Sequence, residues 1–198
     1  MKITSILILK DVEGSEPVLL ASATDLSSFG YFQRGTVKEM IWFVSRTIAR
    51  RTPPGRRQSV EHEEYLVHCY NRNNLVGMVF ANAAYPTRSA FSVINKVLDD
   101  YVAAKGDSWM QATVDDREQH AFLEEAIAKF QDPVEADKLM KIQKELDETK
   151  FILHKTIDSV LERGEKLDTL VEKSNDLSMA SQLFYQQAKK NNQCCKLV

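Results

Sequence analysis

From Leu139 to Asn191 the chain carries one apolar stripe at alternating spacings of three and four residues. It runs through Leu139, Ile142, Leu146, Thr149, Leu153, Thr156, Val160, Arg163, Leu167, Leu170, Ser174, Leu177, Ser181, Phe184, Ala188 and Asn191. A mean period of 3.5 keeps one seam of a helix facing a partner helix, so the stripe reads as a coiled coil. Fifty-three residues at about 1.5 Å each make a rod of roughly 80 Å. A rod of that length cannot bury its seam on a domain of this size without bending, so it calls for other helices. Gly164 marks a break point, since glycine lowers helix propensity by about 1 kcal/mol.

Arg163 makes the stripe specific. Seven seam positions precede it and eight follow, and Val160 and Leu167 close the seam on either side. A guanidinium inside such a seam must find acceptors or destabilise the assembly by several kcal/mol. At the edge of a seam it would instead snorkel to water. A single polar seam residue also sets register, because a slipped pairing leaves it without partners.

Sixteen layers with the polar one at the eighth position resemble the SNARE motif, and an arginine there resembles the R-SNARE class. The stretches Glu145-Leu146-Asp147-Glu148-Thr149-Lys150 and Leu161-Glu162-Arg163-Gly164-Glu165-Lys166-Leu167-Asp168 are similar to the same family. The resemblance implies a parallel four-helix bundle with three Q-SNARE helices (Qa, Qb and Qc). Arg163 would face three partner glutamines there, held by charge-assisted hydrogen bonds. It also implies the SNARE disassembly machinery as a partner.

The chain ends in Cys194-Cys195-Lys196-Leu197-Val198. The last four residues have the outline of a prenylation box, which makes Cys195 the expected prenyl site and Cys194 a palmitoylation site. One lipid gives marginal membrane binding and two give stable anchoring. Lys196 is not aliphatic and Val198 assigns neither prenyl group, so the lipid's identity stays open. No apolar run approaches the eighteen or so residues of a membrane span, and no cleavable signal pattern is present. The expected location is the cytosol and the cytoplasmic face of endomembranes, with the lipids as the membrane contact and no other cofactor.

The first two-thirds read as a globular domain. Residues 2–10 and 18–24 are strands around a Gly/Ser/Pro loop, and 57–63, 64–72 and 75–83 are three more, with Asn73-Asn74 as a turn. Thr36-Val37-Lys38-Glu39 reads as a capping box opening a helix with Val37, Met40, Ile41, Val44 and Ile48 on one face. Pro86 opens a second helix with Ala90, Phe91, Ile94, Val97, Leu98 and Tyr101 inward, and a weaker one runs through Phe122, Leu123, Ala126, Ile127 and Phe130. Residues 106–119 are polar and loop-like. The class is α+β.

Ser27-Ser28-Phe29, Phe32-Gln33-Arg34 and Asn82-Ala83-Ala84-Tyr85-Pro86-Thr87-Arg88 are similar to the longin domain. That implies a profilin-like five-stranded antiparallel sheet with helices on both faces. Longin domain, R-SNARE motif and prenyl box together resemble the Ykt-type R-SNAREs of the secretory pathway. The expected division is a longin domain over 1–131, a SNARE motif over 136–193 and a lipidated tail over 194–198. The implied function is membrane fusion in vesicle transport at the endoplasmic reticulum and Golgi. Trp42 and Phe43 fall off the apolar stripe of the first helix and form a candidate binding surface. Phe43 matches the family position that folds the longin domain back on its own SNARE segment. A closed state around Phe43 and Trp42 that shelters the lipid is therefore expected.

The net charge of −2 and pI near 6.1 offer no footprint for nucleic acid. The Arg50-Arg51 and Arg56-Arg57 cluster flanks Pro53-Pro54-Gly55 and reads as a solvated loop. Cys69 reads as a small buried hydrophobe. Gly30 and Gly35 are spaced like a P-loop, but Thr36-Val37 follows where Lys-Ser/Thr is needed, which excludes a GTPase. His62, His68, His120 and His154 are scattered, and no nucleophile has a base beside it, so enzyme activity is not expected. A lipid-anchored coiled-coil scaffold shares the heptads and the tail but has no use for a cation in mid-seam.

Overall fold

The computed structural model of the chain describes residues 2–62, 64–140 and 151–194. Five antiparallel strands form as expected: β1 (Ile3–Lys10), β2 (Val18–Thr24), β3 (Arg57–His62), β4 (Tyr65–Arg72) and β5 (Leu75–Asn82). Asn73 and Asn74 both take positive φ, 52° and 71°, which is the two-residue turn geometry that matches strand twist. Successive residues of β1 point to opposite faces. Ile6 and Ile8 enter one core, and Leu7 and Leu9 the other. A strand buried on both faces explains the unbroken Ile/Leu run.

One face is covered by α2 (Thr87–Lys105), α3 (Ala121–Phe130) and α4 (Pro133–Met140). The approach of α2 is close: a Cβ built on Gly77 of β5 would lie 2.6 Å from Ile94 Cγ2. The other face is covered by α1 (Arg34–Ala49), with Val37, Ile41, Val44 and Ile48 buried. Cys69 is buried there as expected, and burial pushes its thiol up to about 12.

Three expectations are corrected. The sheet has six strands in the order β2-β1-β5-β4-β3-β6, because Phe151–His154 of the expected helical rod adds as β6, parallel to β3. An exposed β3 edge invites pairing, and Phe-Ile-Leu suits a strand as well as a seam. The capping box at Thr36 does not form either. The helix starts three residues earlier, at Arg34, with Gln33 at its N-cap and no side-chain cap, so Glu39 is released for another role. Residues 106–119 are more than a polar loop. Trp109 is buried, Asp115 accepts the Leu19 N–H at 2.9 Å and Gln119 the Thr24 N–H at 2.8 Å, which covers the β2 edge.

Candidate functional site

From α4 onward the described residues pack against both faces of the domain. Ala136 and Leu139 stay with the α2 core, and Asp137 accepts the Ser89 hydroxyl at 2.6 Å. β6 then passes the β3 edge, where the Phe151 ring lies 5.7 Å from Phe91. Past it, Ile157 drops into the opposite core, beneath α1. The chain turns at Gly164, whose φ of +92° is a conformation that costs an L side chain about 1–2 kcal/mol. Two helices follow, α5 (Leu167–Lys173) and α6 (Met179–Cys194).

The described part of the stripe therefore does not form one helical seam. Leu167, Leu177 and Ser181 are buried against the domain, and Val160, Leu170, Ser174, Phe184 and Ala188 are half-buried. Leu153 in β6 and Thr156 are exposed, and so is Arg163. Ile142, Leu146, Thr149 and Cys195 lie outside the described residues, and Cys194 is the last residue of α6. A seam without partner helices has no reason to stay straight. An isolated helix gains little from propensity alone, and α1 offers apolar surface at once.

Phe43 and Trp42 are both half-buried and pack at the edge of the α1-side core with Phe184 and Tyr185. Phe43 lines a cleft shared with Leu170 and Ser174. Trp42 is stacked by Lys38 at 5.0 Å and Arg117 at 5.3 Å. Farther along α1, Phe29, Val37, Met40, Phe184, Tyr185 and Ala188 line an apolar cavity of about 130 Å³.

Polar contacts fasten the segment to α1. Glu39 accepts the Ser178 N–H at 3.0 Å and the Ser181 hydroxyl at 2.6 Å at the start of α6. Burial works against the charge of Glu39, but these donors outweigh it and hold the carboxyl below its ordinary value. Arg46 donates to Asp176 at 2.7 Å and also pairs with Asp115. Arg51 donates to Glu165 at 2.7 Å, which lowers the Glu165 carboxyl. Within the segment, Asp168 of α5 accepts the Tyr185 hydroxyl at 2.8 Å and pairs with Lys189 of α6.

None of these polar contacts with α1 was legible in the sequence beforehand, although Ser181 itself belongs to the stripe. They join residues 114 to 142 positions apart, and no local period reports on the pairing. Arg51 belonged to an expected solvated cluster, yet its side chain is only 14% exposed. Among the described residues no helix is long and apolar enough to cross a membrane.

Residues 26–127 match the longin family, described as a regulated-SNARE-like domain, and residues 138–197 match the synaptobrevin family. Over its whole length the chain is 63% identical to the full VAMP-like protein YKT61 of Arabidopsis thaliana. It is 48% identical to the Synaptobrevin homolog YKT6 of Eremothecium gossypii, covering 100% of both chains. It is 45% identical to the Synaptobrevin homolog YKT6 of Saccharomyces cerevisiae, over 92% of each.

Proposed function

The chain belongs to the YKT6-type family of longin-domain synaptobrevin homologues, the R-SNAREs of vesicle transport, and we propose that it drives fusion by lending one helix to a four-helix SNARE complex. In that complex the segment within residues 136–193 straightens. Its layers from Leu139 to Ala188 face three Q-SNARE helices, and Arg163 meets their glutamines. Burial of the seam supplies the driving force. Zippering toward the lipidated tail, with prenyl on Cys195 and palmitoyl on Cys194, pulls the cytoplasmic faces of two endomembranes together. The disassembly machinery then recycles the chain.

The longin domain, residues 1–131, holds the segment back. The observation that carries this reading is the burial of Leu167, Leu177 and Ser181 against the α1 side of the domain. Those side chains cannot face the domain and partner helices at once, so closed and assembled states exclude each other. The exposed position of Arg163 supports it too: the closed chain keeps the guanidinium hydrated, and only a bundle asks it to be buried. The apolar cavity beside α6 is a suitable recess for part of a lipid chain, which a cytosolic interval requires.

The test is a mixing experiment. The full chain combined with three Q-SNARE helices should show a large gain in helicity by circular dichroism, with loss of the β6 pairing. No gain with any Q-SNARE set refutes the assembly reading. Mass spectrometry of the carboxyl-terminal peptide from a eukaryotic host checks both cysteines.

A further inference from the structure

α1 and the residues just after it carry five basic side chains, Arg34, Lys38, Arg46, Arg50 and Arg51, against one acid, Glu39. The C-terminal half of this row lies beneath the SNARE segment, together with Phe43. A cavity of about 430 Å³ opens there between Arg46, Arg50 and Arg51 on one side and Lys173 and Asp176 on the other. In the closed chain Arg51 is neutralised by Glu165 of the segment, and Arg46 is shared between the segment's Asp176 and the domain's Asp115; the contacts to Glu165 and Asp176 are each 2.7 Å. The Arg46 and Arg51 side chains are only 11% and 14% exposed. Arg50 meets Glu16 at 3.3 Å in a pair more than half exposed, a geometry that holds little energy.

When the segment leaves, Asp176 and Glu165 leave with it. Asp115 stays with Arg46 and Glu16 stays near Arg50, but Arg51 keeps only the Thr47 carbonyl among these contacts. What is uncovered is a helix face with three guanidiniums around Phe43 and with Trp42 and Lys38 farther along. Planar guanidiniums pair with phosphate and carboxylate oxygens in place of the lost carboxylates. A basic helix face with embedded aromatics suits the headgroup layer of a membrane. The cations are spread along a helix rather than converging on one point, which favours an extended anionic surface over a small anion.

We propose that this face of α1 is a docking surface for an anionic lipid bilayer, covered in the closed chain by Glu165 and Asp176. Lipid headgroups and the segment compete for the same arginines. An anionic membrane therefore raises the open population, and opening raises membrane affinity by the same factor. The proposal rests on the reading that the segment leaves the longin domain to assemble, but it is tested without any partner SNARE.

The experiment uses the full chain with Cys194→Ser and Cys195→Ser, so that lipid attachment plays no part. Co-sedimentation is measured with phosphatidylcholine vesicles and with equimolar phosphatidylserine–phosphatidylcholine vesicles. Hydrogen exchange of α5 and α6 is followed in parallel. Releasing the clasp with Glu165→Gln and Asp176→Asn should tighten binding to the anionic vesicles by about tenfold, in a salt-sensitive way, with little binding to phosphatidylcholine. Adding Arg50→Glu and Arg51→Glu should remove that gain, since each cation at such a surface is worth roughly fivefold. Protection of β1 and β5 checks that the variants fold, and the exposed Arg50→Glu alone serves if the double change does not. Equal binding to both vesicles, or anionic binding that survives the arginine reversals, overturns the proposal. So does opening by inorganic phosphate as complete as that by vesicles, which would make the ligand a free anion. Failure of the assembly reading appears separately, as a missing helicity gain with Q-SNAREs.

Discussion

The Ser181 hydroxyl donates a 2.6 Å hydrogen bond to the Glu39 carboxylate, across 142 residues of sequence. Ser181 is a seam residue on α6 and is fully buried, and the same carboxylate oxygen accepts the Ser178 N–H. One acid on α1 thus caps the start of α6 and holds a position that the proposed bundle would need. A charged acceptor bonded this way contributes about 1.5–3 kcal/mol. Glu39→Ala should shift the chain toward the open form by on the order of tenfold or more. Faster hydrogen exchange over 179–188, with β1 and β5 unchanged, is the expected record; unchanged exchange in α6 would show that the bond is incidental.

The same contact sets a pH dependence. Glu39 and Glu165 are both held below the ordinary value of 4.5 in the closed chain. A depressed carboxyl contributes stability above its ordinary value and loses it as pH falls through the closed-state value. The closed form should be insensitive to pH near neutrality and should loosen progressively below about 4.5. Glu39→Gln together with Glu165→Gln should flatten this profile. A wild-type profile that keeps its full slope in the double variant removes these two groups as the cause.

Phe43→Glu places a carboxylate in the cleft shared with Leu170 and Ser174. Lost apolar contact should cost the closed form about 2–3 kcal/mol, offset in part because Arg46, Arg50, Arg51 and Lys173 line the same cleft and face the new carboxylate. Exchange should rise along α5 and α6, and SNARE assembly should speed up. Wild-type protection in both helices would rule out Phe43 as a clamp.

Gly164→Ala should bias the chain toward assembly from two directions. Alanine resists the +92° φ of the closed turn, and it favours a continuous helix by about 1 kcal/mol. The combined shift is on the order of 2 kcal/mol, about thirtyfold. Assembly kinetics with Q-SNARE helices measure it. Unchanged or slower assembly would show that the turn does not limit opening.

Arg163 and Leu177 should separate the two states. Arg163 is exposed in the closed chain, so Arg163→Leu should leave closed stability within about 0.5 kcal/mol while leaving partner glutamines unpaired in the complex. Leu177 is buried in the closed chain, so Leu177→Ala should weaken the closed state and the complex alike, by roughly 2–5 kcal/mol where burial is complete. Thermal melts of the free chain and of the complex decide this. An Arg163→Leu chain that loses closed stability but assembles with normal register contradicts the polar-layer role.

Much of this protein was legible in residue order alone. The Ile/Leu runs, the Asn73-Asn74 turn and the apolar faces of α1, α2 and α3 are local patterns, and they specified the five strands of an antiparallel sheet and the helices that cover it, while the placing of helices on both faces came from the longin resemblance. The 3.5-residue stripe and the place of Arg163 within it pointed to the family that the whole-length similarity then showed. What the stripe does in the lone chain is another matter. A seam states which residues need burial, not what will bury them. With no partner helices present, the tertiary structure supplied the α1 side of the domain for Leu167, Leu177 and Ser181, and the bare β3 edge for Phe151–His154. Glu39 shows the limit most clearly. Beside Thr36 it had the spacing of a local cap, but its partner is Ser181. Pairing over that distance follows from where whole elements pack, and no window of sequence contains it.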